Sequence, residues 1–341
     1  MKLFRKMRAA SLEENNTAAY WKYAVGEVVF VVIGILLAFQ IDMWGERRNA
    51  REHTHYLFGQ VHDELALNIQ NCNGQIGEYL FKDTMVNRIL TGKADRQTYR
   101  DHWQYATILL WQAEVEVSDD AFLNLVNSED GLSSSEREIL VELKTLYGPT
   151  KKGLENLNDM ATESAFSYHK QYKEEYGWYA ELVSNWSVPE EMIDYCLEDP
   201  SFVNSVAYFQ MVNLLNHYRN TLSFRTDAIA LHERLAEEMG FEADSTLLFP
   251  ASQCLDAVGM YSGFYDLEVV MAKGKLVGKK IRKSDGVVFD EQRMYPEVLD
   301  AFSFDGNFCR LVRDSSDAVS GLTISLGTSQ FDFVKLMTDK K

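Results

Sequence analysis

The side chains here that could carry chemistry fall into a few small groups. Ser167-Tyr-His-Lys170 has the Ser-x-x-Lys spacing in which a lysine one helical turn away can activate a serine nucleophile, and Tyr218-Arg-Asn220 could imitate the second motif of that enzyme class. No Lys-Thr-Gly-like strand motif follows, and about one Ser-x-x-Lys arises by chance in a chain this long, so these read as solvent-facing helix residues. His53, His55 and His62, with Asp63 and Glu64, form the one His-rich patch. His55 and His62 share a helical face but His53 and His55 do not, so a three-ligand metal site needs a bend or a second chain. The plainer reading is a membrane-proximal polar collar. His102, His169, His217 and His232 are scattered, and no Glu-x-x-His pair of the di-iron type occurs. Cys72, Cys196, Cys254 and Cys309 lack Cys-x-x-Cys spacing, which argues against zinc ribbons and thioredoxin-like chemistry. Cys72 falls on an apolar stripe and reads as a buried thiol. Cys254 and Cys309 could pair if their domain is extracytoplasmic. Gly274-Lys-Leu-Val-Gly278 reads as a turn and strand, not a phosphate-cradling loop. On these grounds the sequence assigns no catalytic residue, no cofactor and no metal ligand.

The remaining polar residues of interest sit inside an apolar run. Residues 23–44 form a helix about 31 Å long, close to the hydrocarbon thickness of a bilayer. Tyr20, Trp21 and Tyr23 flank one end and Trp44 the other, where amphipathic rings favour the interface; Trp21, Tyr23 and Trp44 are the expected anchors. Only Val28–Phe39 is uninterrupted apolar sequence, a length that a buried core helix also reaches. Glu27, Gln40 and Asp42 lie near the ends, where the cost of a polar group in lipid falls. Gly34, Ala38 and Asp42 recur every four residues, and Glu27 precedes Gly34 by one heptad. Glu27, Gly34, Ala38 and Asp42 offer one face for close approach of a second copy or of another membrane helix; the alternative is that Glu27 and Asp42 snorkel to the headgroups. No small-x-small cleavage site follows, so the segment reads as an uncleaved signal anchor. Lys2, Arg5, Lys6, Arg8 and Lys22 precede the span while Arg47, Arg48 and Arg51 follow it, which places the N-terminus in the cytoplasm.

Charge divides the rest. The chain carries a net −17, with +3 over residues 1–51, −19 over 52–249 and −1 over 250–341. A surface that acidic repels phosphate backbones, so nucleic acid is not an expected partner. The break near residue 250 coincides with a change of period. Upstream, Phe58, Val61, Leu65, Ile69, Cys72, Ile76, Leu80, Val86 and Leu90 repeat at three-and-four spacing, the stripe of a helix that could continue from the membrane segment. Further helices are expected over about 96–113 and 119–128. Another runs from the capping box Ser133-x-x-Glu136 to about 147, and another over 150–177. Two more follow Ser187-x-x-Glu190 and Asp199-Pro200, the last ending near Gly240. Downstream the period is two, with short strands over 258–270, 275–283, 286–289, 302–304, 308–313, 321–326 and 331–336.

The expected fold is α+β: a cytoplasmic segment (1–22), a transmembrane anchor (23–44), an acidic helical bundle (45–249) and a small antiparallel β barrel or sandwich (250–341).

Gly26, Glu27, Ile33, Gly34, Ile35, Leu36, Ala38, Gln40, Ile41, Asp42 and Trp44 match, residue by residue, an N-terminal Gly-Glu-(Ile/Val)…Ile-Gly-Ile-Leu-x-Ala-x-Gln-Ile-(Asn/Asp)-x-Trp run. The segment thus resembles a bacterial family of single-pass membrane proteins of unknown function, although Asp42-Met-Trp-Gly-Glu46 stands where that family usually has Asn-Asn-Trp-Asn-Glu. Tyr261-Ser-Gly-Phe-Tyr265, Gly274-Lys-Leu276, Tyr295-Pro296, Phe302 and the Phe308–Leu322 stretch resemble the small lipocalin-like β-domain appended to β-lactamase-like envelope hydrolases. That domain is accessory, so the resemblance implies no catalytic residue.

Together these readings describe a noncatalytic, membrane-tethered envelope protein of the bacterial inner membrane, its C-terminal domains periplasmic. It would bind the bilayer and a ligand or protein partner, as a scaffold or as a sensor input acting through that partner. The alternative is a membrane-bound hydrolase or an accessory subunit of one.

Overall fold

The computed structural model describes residues 17–336 except 112–113, 186, 243, 245 and 327–328, with the backbone alone given for 17–20, 22–24, 130 and 326. Its longest element is α1, Thr17–Leu90, a single helix of 74 residues. No proline interrupts it. It stops where Gly92 turns left-handed (φ 67°), and the amides of Gly92 and Lys93 close on the carbonyls of Ile89 and Arg88. The described residues leave the most apolar stretch of α1 unburied. From Leu57 onward the predicted stripe faces inward: Phe58, Val61, Leu65, Ile69, Cys72 and Ile76 are completely covered, while Leu80 and Leu90 are partly buried.

Around this half pack α2 (Arg96–Asp101), α3 (Trp103–Ala106), α4 (Asp120–Val126), α5 (Ser134–Thr145), α6 (Lys151–Glu175), α7 (Tyr179–Asn185), α8 (Glu190–Glu198), α9 (Pro200–Phe209) and α10 (His217–Met239). The Ser133/Glu136 capping box forms as the sequence suggests, Asp199 caps α9 with Pro200 at its first turn, and α10 ends at Gly240 with φ 75°.

Four expectations need correction. The helix expected over 96–113 breaks at His102, because a straight helix would set Tyr105 about 120° from Tyr99, whereas both are buried with rings 6.2 Å apart. Ser187 does not cap α8. Val188 precedes Pro189 and so disfavours helical backbone, and Pro189 becomes the N-cap. The helices expected on either side of residues 147–150 are joined by a π-helical turn, Leu146–Thr150, in which Pro149, lacking an N–H, is accommodated. A second such turn, Gln210–Asn216, joins α9 to α10.

The strands are β1 (Gly259–Ser262), β2 (Asp266–Ala272), β3 (Lys275–Ile281), β4 (Val288–Val298), β5 (Ala301–Phe304), β6 (Asn307–Arg313), β7 (Val319–Leu326) and β8 (Ser329–Lys335). Each pairs antiparallel with its sequence neighbour, and β8 returns to β1 through Tyr261↔Lys335 and Ser262↔Val334. The sheet is therefore a closed barrel and not a sandwich. Residues 258–270 are two strands folded at Gly263, and β4 runs well past residue 289. Pro296 lies in β4 beside a register shift before Val298, the kind of position where a strand tolerates proline. Tyr261, Phe302, Phe304 and Phe333 fill the barrel interior. A Cβ on Gly278 would stand 2.6 Å from the Phe304 ring, so only glycine lets that ring lie across β3.

The barrel lies against α1 and α10. Phe308 of β6 enters the apolar cluster around Tyr79 and Tyr218, and Tyr295 of β4 enters the one around Phe58 and Phe224. Helices and barrel thus share their interiors.

Candidate functional site

α1 carries the membrane-face residues Glu27, Gly34, Ala38 and Asp42 and the interface aromatics Trp21, Tyr23 and Trp44. Among the described residues it is the one helix long and apolar enough to cross a membrane, and none of its most apolar stretch is buried. Val28, Phe30, Ile35, Leu37, Phe39 and Ile41 are exposed, as are Trp21 and Trp44 at its ends. The side chain of Tyr23 lies outside the described residues, as do Lys2, Arg5, Lys6 and Arg8. Gly34, Ala38 and Asp42 are exposed and Glu27 is partly covered. On a helix these four positions fall within about 80° of arc. A Cβ on Gly34 would meet nothing within 4 Å.

The His-rich patch is divided by the helix. His55 packs on Phe241 and its Nε2 lies 3.1 Å from the Met239 carbonyl. His62 turns inward and stacks on His232 of α10, centroids 3.9 Å apart and planes 20° from parallel. Both are buried, and neither Nε2 has a hydrogen-bond partner among the described residues. Burial, with His62 alongside, pushes the His232 imidazole down to about 4. Glu64 serves α4, accepting the Ala121 amide at 2.8 Å and the Phe122 amide at 3.2 Å in place of a cap from Asp119. Among the described residues no group of three or more His, Cys, Asp and Glu could hold a metal ion. Ser167 and Lys170 are exposed on α6. All four cysteines are buried free thiols, so the suggested Cys254–Cys309 pair is not formed.

What sequence reasoning missed is a polar interior where α1, α10 and β4 meet. Arg225 of α10 has no exposed surface. Its Nη1 donates to Asn73 Oδ1 at 2.8 Å and to Glu297 Oε2 at 2.7 Å, and its Nη2 to Glu297 Oε1 at 2.5 Å. Asn73 in turn donates to the Leu247 carbonyl at 2.6 Å, tying the 240s loop to α1. Two turns earlier on α10, the Tyr218 hydroxyl donates to Ser303 at 2.8 Å. His217 bridges Tyr79 and Asn158. Asn158 Oδ1 accepts the Val115 amide and so accepts from His217 Nε2 also, at 2.7 Å. Nδ1 is then the acceptor for the Tyr79 hydroxyl. Burial and nearby Lys82 hold this imidazole down at about 4, in keeping with a neutral ring. The sequence does hold one signal: a lone arginine among Thr221, Leu222, Phe224, Ala228 and Ile229, the buried face of α10. Glu297 had none.

The site joins an uncovered apolar helix to a buried, charge-balanced junction. No known protein family matches the chain, and no curated protein and no solved structure is significantly similar to it.

Proposed function

We propose that the chain is a membrane-tethered, noncatalytic binding protein, anchored by residues 23–44. Its helical and barrel parts would engage a ligand or protein partner as a scaffold or sensor input. The observation that carries this reading is the bare apolar surface of α1 from Val25 to Ile41, continuous through one helix with the buried stripe that begins at Leu57. Exposed valine, leucine, isoleucine and phenylalanine over this length are costly in water and favourable in a bilayer. Trp21 and Trp44 suit its two interfaces. The signature-like run Gly26–Trp44 supports the same assignment. The basic residues before the span favour a cytoplasmic N-terminus, with residues 45–341 on the periplasmic side of a bacterial inner membrane. Because α1 runs unbroken from the anchor into the core, motion of a membrane partner against Glu27, Gly34, Ala38 and Asp42 would be felt along α1.

Fractionation of cells expressing the full chain tests this. The protein should stay in the membrane pellet after alkaline carbonate and be digested by protease applied to spheroplasts. Release by carbonate would overturn the anchor, and protection from protease in intact spheroplasts would reverse the topology.

A further inference from the structure

Two imidazoles that the binding role leaves unused hold α10 against α1. His62 and His232 stack with their centroids 3.9 Å apart, and both are buried. An imidazole in an interior is normally satisfied at both nitrogens, as His217 is by Tyr79 and Asn158. Here neither Nε2 has a hydrogen-bond partner among the described residues. A pair of phenylalanine rings would fill the same space without leaving polar atoms unpaired. Packing alone therefore does not account for histidine at both positions.

The stack sits under the start of the 240s loop. The Phe241 ring lies 5.2 Å from that of His62 and 4.8 Å from that of His55. It rests on Gly59 of α1, where a Cβ would stand 3.5 Å from it. His55 Nε2 adds a contact to the Met239 carbonyl. The stack, Phe241 and Met239 thus fasten the end of α10 and the loop after it to one stretch of α1.

The charged groups around the pair come from three directions. On α1, Asp63 Oδ1 is 3.7 Å from His62 Nδ1, but its side chain is 89 % exposed and so largely screened by water. On α10, Glu233 is already taken by Lys275 and Arg293 of the barrel. In the loop, Asp244 accepts the Thr246 amide and hydroxyl. These carboxylates can ease one proton onto the pair. A proton on each ring would set two like charges 3.9 Å apart, with no buried carboxylate free to balance the second.

We propose that the His62–His232 stack is an acid-sensitive latch: with both rings neutral it keeps Phe241 and the 240s loop on α1, and protonation of the pair parts the rings and releases the loop. Burial holds the His232 imidazole at about 4 while the rings are stacked, whereas a parted ring in water takes up protons near the usual 6.5. The latched form is therefore fully favoured above about pH 6.5 and loses ground as the pH falls. The latch goes beyond the binding role proposed above and does not depend on the anchor.

The readout is the fluorine resonance of 4-fluorophenylalanine placed at Phe241 in the full chain in detergent micelles, with its exposure to a water-soluble gadolinium chelate. Between pH 7.5 and 5.0 the ratio of released to latched signal should rise at least about tenfold, a factor that one proton on one parted ring already supplies. His62→Phe combined with His232→Phe keeps a stacked pair that cannot be charged and should abolish the rise. His232→Phe alone leaves one titratable ring and should halve the steepness of the rise with pH. His55→Phe, which alters a contact of Phe241 outside the stack, should keep it. A Phe241 signal unmoved down to pH 5.0 would overturn the proposal. So would an equal rise in the folded double variant, an unaltered steepness in His232→Phe, or loss of the rise in His55→Phe. Release seen only together with loss of helical circular dichroism would overturn it as well, since that is unfolding and not a latch.

Discussion

Arg225 and Glu297, 72 positions apart, meet inside the molecule through a two-pronged ion pair of 2.7 and 2.5 Å, and neither side chain is more than 7 % exposed. This pair fastens the barrel to α10, and Asn73 extends it to α1. Removing one partner strands the other charge, so Glu297→Gln or Arg225→Met should each destabilise the protein by about 3–5 kcal/mol. The double variant should recover much of that loss. Denaturant unfolding of the four proteins in micelles, read as a double-mutant cycle, measures the coupling. Strict additivity would mean that the pair contributes little beyond its separate packing.

Acid should weaken the fold through His217 and His232. Both are pushed from 6.5 to about 4 by burial, so the unfolded chain takes up protons more readily than the folded one. Their contribution is complete above pH 6.5, falls as the pH drops, and is gone once the pH has passed below about 4. Asp83 opposes this at the acid end, because burial raises its carboxyl despite Arg310 beside it. Unfolding midpoints between pH 7.5 and 4 should therefore decline, and His232→Asn should flatten the slope. A midpoint unchanged down to pH 4.5 would contradict the assignment.

The four thiols should be silent in the folded protein. Burial raises Cys72 to about 12 and Cys254 to about 11, and raises Cys196 and Cys309 as well. Neither thiolate nor access is then provided. Iodoacetamide should leave native protein unmodified and add four groups after denaturation without reductant. Two groups would reveal a disulfide.

Inside the barrel, Gly278 and Phe304 should behave as a coupled pair. Gly278→Ala forces the new methyl against the Phe304 ring at 2.6 Å and should destabilise by about 1–3 kcal/mol. Phe304→Leu removes the ring edge and should make Gly278→Ala less harmful than it is alone. Equal penalties in both backgrounds would mean that β3 moves aside.

At the start of α9, Asp199→Ala should cost about 1 kcal/mol, because its carboxylate accepts the Ser201 amide at 2.8 Å. Asp199→Asn should retain most of the cap.

Local chemistry wrote much of the helical part into the sequence. The stripe from Phe58 to Ile76, the Ser133/Glu136 box, the Asp199-Pro200 start and the Gly240 stop each depend on residues within a turn or two of one another. The alternation of β2 and β3 is equally local. The Ser187 box does not form because Pro189 disfavours helical backbone at Val188 and itself becomes the N-cap. Barrel against sandwich was not decidable from alternation, since both bury every second residue. Closure depends on β8 finding β1, some seventy residues away. The candidate junction was hidden for the same reason. Arg225, Glu297 and Asn73 lie on three elements, as do Tyr79, His217 and Asn158, and a polar residue's partner is fixed by packing and not by spacing. The sequence by itself determined where apolar surface runs along α1 and where the capped helices α5 and α9 start and α10 stops, because side-chain period and capping are short-range. Only the tertiary structure decided which charges are paired, which imidazoles are buried and where a donor is left without an acceptor, because those depend on which surfaces meet.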